Sequence, residues 1–353
     1  MCFEEITIHR DQTILDALRK LNNVRSKINV SRLILFVADD NEVILGSLTD
    51  GDVRRSLIQH GNLSKRLEEI CNRNFIFKFE HSGFLDLREY RKKDLKILPI
   101  LDRNMRLKRI IDLEKTQSVL PLECMIMAGG RGKRLSPLTD DIPKPMLPLG
   151  EKPIIEHNID RLISYGIRKI YISVKYLGEQ IQDYFGDGSS KGISIEYVWE
   201  DKPLGTAGAL ALVENFETDH ILLMNSDLFT NVDFEDLYVD LINQEADMAV
   251  ASTEYKVDVP YAVFETEGKE VMEFKEKPSY VYYSNAGIYI LKKELISKIP
   301  QNKYYDITEL MEELIKEGGK LIHNPILGFW IDIGKPVDYK QAQELVKHSS
   351  LNK

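Results

Sequence analysis

Apolar and polar positions along this chain follow two rhythms, and the longer, later part shows both most plainly. Short unbroken apolar runs stand at ECMIMA (123–128), KIYISV (169–174) and HILLMN (220–225). Between the first two, Ile155, Ile159, Leu162 and Ile163 share one helical face that Gly166 ends, and a further helix is expected from Gly178. Buried strands alternating with amphipathic helices predict a parallel-rich α/β sheet covered on both faces. Ligands of such sheets gather at the carboxyl ends of the strands.

Upstream, a pattern occurs twice. ILFVADDNEVILGSLTDGD (34–52) aligns without gaps on ILPILDRNMRLKRIIDLEK (97–115), each an apolar strand, a tight Asp/Asn turn and a second strand leading toward a helix. Helical spacing precedes both copies, through Ile14, Leu18 and Leu21 in the first and Leu85, Leu87 and Tyr90 in the second. The first copy ends in GSLTDGDVRR, where Thr49 suits a phosphate or ribose oxygen and Asp52 can accept two hydroxyl hydrogen bonds. Thr49 and Asp50 could equally cap a helix beginning at Asp52. The pair resembles a tandem cystathionine-β-synthase-type (CBS) module. That resemblance implies a small α/β domain for regulation or homo-oligomerisation, with an adenine nucleotide held by Gly46, Thr49 and Asp52. Arg109, Asp112 and Lys115 occupy the equivalent positions of the second copy, so at most one such site is expected.

Charge sharpens the division. Residues 1–120 carry 22 Lys+Arg against 18 Asp+Glu, and the remainder carries 25 against 38, for a net charge of −9 overall. A sign change between halves predicts domains of 1–120 and 122–353, joined at QSVLPLE (117–123), and the acidic balance argues against a nucleic-acid binder. Cys2, Cys71 and Cys124 are too scattered for a disulfide framework or a zinc cluster. Without an apolar leader or a membrane-length run, a cytoplasmic home is the expectation.

Between the two rhythms stands MIMAGGRGKRLSPLTDDIPKP (125–145), in which an apolar strand stops at two glycines and four cations follow. Gly129, Gly130 and Gly132 fall at a strand's carboxyl end, where bare backbone N–H groups can curl around a phosphate. The loop has no Gly-Lys-Ser/Thr ending, and Leu135 occupies the place of a dinucleotide fold's third glycine. Pro143 and Pro145 pin the backbone around Lys144, and a fixed ammonium suits charge that grows on a transferring phosphoryl group.

The succession G-G-x-G-x-R-L, P-K-P and MLPLGEKPIIEH resembles the sugar-phosphate nucleotidyltransferases, over residues 122–345. Lys133 departs from the family's more usual threonine. The resemblance implies a Rossmann-like, three-layer (GT-A-like) domain that joins a nucleoside triphosphate to a sugar 1-phosphate and releases pyrophosphate. Nothing need deprotonate the attacking phosphate, which is already ionised. Ala128, Gly129, Gly130, Gly132 and Lys133 would hold the nucleotide, with Arg134 and Lys144 stabilising charge. Asp227 in LLMNSDLF and Asp332 in GFWIDIGKP would hold Mg²⁺, the latter as a carboxylate inside an apolar frame. Structural roles compete: a helix cap for Asp227 and a buried ion pair for Asp332.

For EDKPLGTAGAL (200–210) the resemblance implies a loop that closes over base and sugar, with Gly205 making room and Thr206 among the nucleotide-binding residues, while the competing structural role for Thr206 is a helix N-cap. Glu200 matches a position that touches the base edge, and a carboxylate there accepts from two guanine donors but only one of uracil, which favours GTP. On the acceptor side Glu276 would hold sugar hydroxyls, Lys277 the sugar 1-phosphate, and Asn285 with Gly287 the ring. The subgroup resembled is the mannose- and glucosamine-1-phosphate guanylyltransferases of cell-surface glycan synthesis. The alternatives are a uridylyl- or thymidylyltransferase on glucose 1-phosphate, or an inactive nucleotide-sensing protein.

Overall fold

The computed structural model describes residues 3–24, 30–80 and 84–350, so Cys2 lies outside the described residues. The chain divides into two compact units, Met1–Val119 and Leu120–Lys353.

The first unit contains two three-stranded sheets of the same design. Strands Thr7–His9, Leu35–Ala38 and Ile44–Leu48 form one, and Lys78–Phe79, Ile97–Leu101 and Leu107–Asp112 the other. In each the first strand runs parallel to the second and the second antiparallel to the third. The likeness extends to irregularities: register shifts fall between Val37 and Ala38 and between Ile100 and Leu101. Each hairpin turn has one left-handed residue, Glu42 at φ 63° and Met105 at φ 62°. Asp39 and Asp102 close those turns by accepting two backbone N–H bonds apiece.

The helices separate the copies. Ile14–Val24 buries Ile14, Ala17, Leu21 and Val24, and Asp50–His60 follows the first hairpin. Helix Asp50–His60 starts two residues earlier than expected, because Thr49 is its N-cap and Asp52 closes a reciprocal capping box. Among the described residues just ahead of the second copy the short helix is Arg88–Lys92, so Leu85 and Leu87 precede it rather than lie on it. Among the described residues no helix stands between Asp112 and Leu120; the Asp112 carbonyl accepts from Lys115 and Thr116 in a turn, and the β-branched Thr116 and Val119 are weak helix formers.

The second unit is built on seven strands in the order Ser194–Trp199, Lys169–Val174, Leu122–Met127, His220–Asn225, Ser279–Lys292, Met248–Asp258 and Leu321–Pro325. The first four are parallel to one another, as continuous apolar runs predict. Ser279–Lys292 is antiparallel to both its neighbours. It is reached through the ribbon Val263–Glu267 and Glu270–Lys275, which returns the chain in the opposite sense. Helix Ile154–Ser164 turns Ile154, Ile155, Ile159 and Leu162 inward, while Leu210, Ile307, Leu310 and Leu314 pack with Met125, Leu223 and Val250 of the sheet. The long strands Met248–Asp258 and Ser279–Lys292 pair far beyond the buried sheet, and there Tyr255, Tyr282 and Tyr283 stand in solvent.

Candidate active site

Strand Leu122–Met127 ends at a cavity of about 640 Å³. Ala128 is buried in the strand's continuation, its N–H bonded to Ser173 O at 2.9 Å, and is not part of the wall. Gly129, Gly130, Gly132, Lys133 and Arg134 line the opening. Gly132 adopts φ +65°, and a Cβ there would stand 2.9 Å from Lys144 Cβ. Glycine at this position therefore lets the Pro143–Pro145 turn press against the loop.

Lys144 is 8% exposed, between two buried prolines. Its ammonium donates to Asp227 Oδ2 and lies 3.9 Å from Asp332 Oδ1. Asp227 follows strand His220–Asn225 and leads into the short strand Leu228–Thr230, so it caps no helix. Leu228 pairs with Asp332 in the antiparallel ladder to Trp330–Asp332, and Ile333 N donates to Asp227 O at 3.0 Å. That ladder brings the two carboxylates side by side. Partial burial, then the charge of Asp227, raise the Asp332 carboxyl above its usual range, against the pull of Lys144 and Arg134. The Asp332 side chain is 45% exposed, not enclosed in an apolar frame. Ile331 and Ile333 take the inward positions of the strand's alternation and leave Asp332 facing out. Arg134 approaches from the other side: its Nη2 would be 3.2 Å from a Cβ on Gly334.

Among the described residues no group of three or more His, Cys, Asp or Glu gathers. The Asp227–Asp332 pair still fits a divalent cation. Magnesium takes one or two carboxylates and completes its shell with water and substrate phosphate, and Asp227 and Asp332 supply two.

At the other end, Glu200 is 8% exposed. Ser173 Oγ donates to its Oε1 and Leu204 N to its Oε2 at 2.9 Å. A Cβ on Gly129 would fall 2.8 Å from Glu200 Oε1, so this glycine leaves the carboxylate edge uncovered. Lys175 Nζ holds the strand end by donating to Glu200 O and Asp201 O. The helix expected to be capped by Thr206 is the single turn Gly205–Gly208, with Leu204 at its N-cap. Thr206 lies inside it, its Oγ donating to Asp306 Oδ1 at 3.2 Å and accepting from Ile307 N at 2.9 Å. Gly205, at φ +77°, makes room for Tyr305 O, 2.7 Å from where a Cβ would sit.

Four expected acceptor residues lie outside the cavity lining. Glu276 and Lys277 are exposed at the turn leading out of the projecting ribbon, with Lys277 at φ 44°. Asn285 Oδ1 accepts from Gly287 N at 2.9 Å. Gly287 adjoins the cavity, since its Cβ would lie 2.6 Å from Asn225 Nδ2, and Asn225 is in the wall. Arg131, Lys175, Tyr176, Asn225, Ser226 and Tyr304 also line the cavity. Arg131 fills the variable position of the G-G-x-G run and was expected among the loop's cations; sequence reading gave the other five no role because none carries a motif of its own, although Asn225 and Ser226 directly precede Asp227.

In the first unit Thr49 and Asp52 face a cavity of about 320 Å³, together with Arg32, Asn72 and Lys96. Their side chains bond each other in the capping box, which leaves further lone pairs on both. Gly46 does not line this space; a Cβ there would meet Asn72 O and Cys71 Sγ at 2.8 Å. In the second copy the Asp112 carboxylate accepts from Ser31 N at 2.7 Å and Ser31 Oγ at 2.6 Å. Burial lowers Arg109, which lines a separate cavity with Lys78 and Lys108.

A model of the nucleotidyl transferase family matches residues 123–349, and a CBS-domain model matches residues 1–59. Among curated relatives, mannose-1-phosphate guanyltransferase beta-A of Xenopus laevis is 31% identical over 227 residues, 62% of either chain. A UTP–glucose-1-phosphate uridylyltransferase of Synechocystis is 31% identical over 242 residues, covering 63% of this chain and 62% of the relative. This chain thus spans about three-fifths of the length of those relatives. Among solved structures, HddC of Yersinia pseudotuberculosis, complexed with GMP-PN, superposes with a TM-score of 0.50 at 26% identity, covering 64% of this chain and 99% of that one.

Proposed function

Since the chain belongs to the nucleotidyl transferase family, with a CBS pair ahead of the transferase domain, we propose that it transfers GMP from GTP to a sugar 1-phosphate. A phosphate oxygen of the sugar 1-phosphate forms a bond to the α-phosphorus in line as the bond to the β-phosphate oxygen breaks, and pyrophosphate carries the electron pair away. The observation that carries this reading is the buried Lys144 ammonium beside two carboxylates at the mouth of a glycine-lined cavity.

Backbone N–H groups at Gly129 to Gly132 would receive the triphosphate. Lys144 would meet the α-phosphate, its stem confined by Pro143 and Pro145, so that no reorganisation is needed as charge grows. Asp227 and Asp332 would hold Mg²⁺, which when bound offsets repulsion between the two phosphate groups. The exchange of Asp227 for the phosphate at the Lys144 ammonium would be complete on binding, before charge grows in the reaction.

The choice of guanine rests on Glu200. Hydrogen bonds from Ser173 and Leu204 fix its carboxylate while Gly129 leaves one edge open. Each oxygen keeps a lone pair, enough to accept from guanine N1–H and its amino group. Pyrophosphate release across four nucleotides and several sugar 1-phosphates is the test. GTP should lead, with inosine triphosphate between GTP and UTP, and Glu200→Gln should narrow the gap. A GTP preference untouched by Glu200→Gln would remove this residue from base reading. For the N-terminal unit we propose one adenine-nucleotide site, at Thr49 and Asp52.

A further inference from the structure

The turn Gly205–Gly208 is four residues long, too short to hold itself as a helix. Residues 304–307 fasten it. Tyr305 N donates to Leu204 O at 2.9 Å, and Tyr305 O accepts from Ala207 N and Gly208 N, both at 3.1 Å. Asp306 adds a side-chain clamp: its Oδ1 accepts from Thr206 N at 3.0 Å as well as from Thr206 Oγ. Its Oδ2 accepts from the hydroxyl of Tyr304 at 2.7 Å. Partial burial works to raise the Asp306 carboxyl, yet the bonds from Thr206 and Tyr304 hold it below its usual range. A Cβ on Gly205 would stand 2.9 Å from Asp306 Oδ1, so glycine there lets the clamp close. Asp306 is also the N-cap of helix Ile307–Lys316, and its N–H donates to Glu309 Oε1 at 3.0 Å.

The clamp reaches Glu200 through one residue. Leu204, fixed at its carbonyl by Tyr305, donates its N–H to Glu200 Oε2. Glu200, Leu204, Gly205 and Thr206 line the cavity, whereas Asp306 stands outside the lining. Asp306 therefore works through Thr206 rather than on a bound nucleotide. A carboxylate only accepts, so the single hydroxyl hydrogen of Thr206 is committed to Asp306, and Ile307 N takes one of its lone pairs. Thr206 is left with no hydroxyl hydrogen to offer a phosphate or ribose oxygen. Its part in nucleotide binding is to present the backbone of the turn, and the clamp is what fixes that backbone.

We propose that Asp306 is a positioning residue for nucleotide binding: it locks the turn Gly205–Gly208 onto helix Ile307–Lys316 and so sets Leu204 and Glu200. This rests on the chain acting as a nucleotidyltransferase and is independent of which base it reads; magnesium UTP serves the same test if it binds more tightly than GTP. With GTP and mannose 1-phosphate as probes, Asp306→Ala should raise the KM for GTP about tenfold, while kcat and the KM for mannose 1-phosphate move less than about twofold. Calorimetric binding of magnesium GTP to the full chain should weaken by the same factor, whether or not mannose 1-phosphate is turned over. Asp306→Asn keeps an oxygen for Thr206 and an amide that can donate to the Tyr304 hydroxyl, and should restore most of the affinity. Glu309→Ala opens the capping box at the same helix end without touching Thr206. It should lower stability in chemical denaturation and leave the affinity for GTP near the parent value. Thr206→Val should weaken binding, and combining it with Asp306→Ala should cost no more than Asp306→Ala alone, as the two ends of one contact do. A parental affinity in Asp306→Ala would overturn the proposal. Equal losses in Asp306→Ala and Glu309→Ala would reduce Asp306 to a helix cap, and additive losses in the double variant would show no clamp between Asp306 and Thr206; either overturns it.

Discussion

The two sides of the transferase cavity are built to different standards. Three polar groups on the proposed nucleotide side are tied down: Glu200 by Ser173 and Leu204, Thr206 by Asp306 and Ile307, Lys144 by Asp227 between buried prolines. On the proposed acceptor side, Glu276 and Lys277 sit in the exposed turn that leaves a ribbon whose strands, among the described residues, pair only with each other. Such a two-stranded ribbon has little stability of its own. The contrast suits a division of labour in which one substrate meets a prepared surface and the other orders part of its own.

The sharpest way to break that comparison is at Lys144. Lys144→Ala should lower single-turnover rate by roughly 10²–10³-fold, the scale of losing one preorganised charge, with nucleotide affinity nearly intact. A loss of affinity with unchanged chemistry would instead make Lys144 a ground-state grip. Next, Asp227→Asn and Asp332→Asn should each raise the Mg²⁺ concentration for half-maximal rate about tenfold or more. A parental magnesium curve for Asp332→Asn would take it out of the ligand set.

Smaller effects are expected across the cavity. Lys277→Ala should raise the KM for sugar 1-phosphate roughly tenfold with little change in kcat, as loss of a uniformly used contact does. If the ribbon plays no part in binding, both constants will be unchanged. The smallest shift belongs to the other unit. Asp52→Ala opens the Thr49 capping box and should cost about 1 kcal/mol in chemical denaturation. Under the nucleotide-site proposal it also abolishes calorimetric binding of ATP or AMP.

Where sequence patterns are local, the fold was legible. The strands Lys169–Val174 and His220–Asn225 and the helix Gly178–Phe185 appear where their apolar runs and glycine stop stand. Direction was not legible: the buried stretch Ala286–Leu291 of Ser279–Lys292 is as apolar as the parallel strands, yet the strand follows the ribbon and runs antiparallel to both its neighbours. Asp332 shows a narrower failure. Its neighbours in sequence are apolar, but strand alternation turns them away from it, and burial follows the face rather than the neighbourhood. Thr206 has the composition of a cap, yet its partner Asp306 lies 100 residues on, beyond any local pattern. In the repeat, backbone irregularities persist where the second copy's helix and ligand-type residues have gone. Turn geometry depends on a few short-range bonds, and those Asp39 and Asp102 still supply.

The short ladder joining Leu228–Thr230 to Trp330–Asp332 also sets a timetable. Thr230 Oγ donates to Phe329 O across 99 residues of chain. During synthesis the glycine loop, Lys144 and Asp227 all emerge long before Asp332. Until the later strand docks, Lys144 faces one carboxylate instead of two. The glycine loop waits on the same late strand, because Leu135, Leu147 and Leu149 pack with Ile331, Ile333 and Tyr339, so a chain halted before residue 330 would lack both the second carboxylate and part of the core beneath the loop.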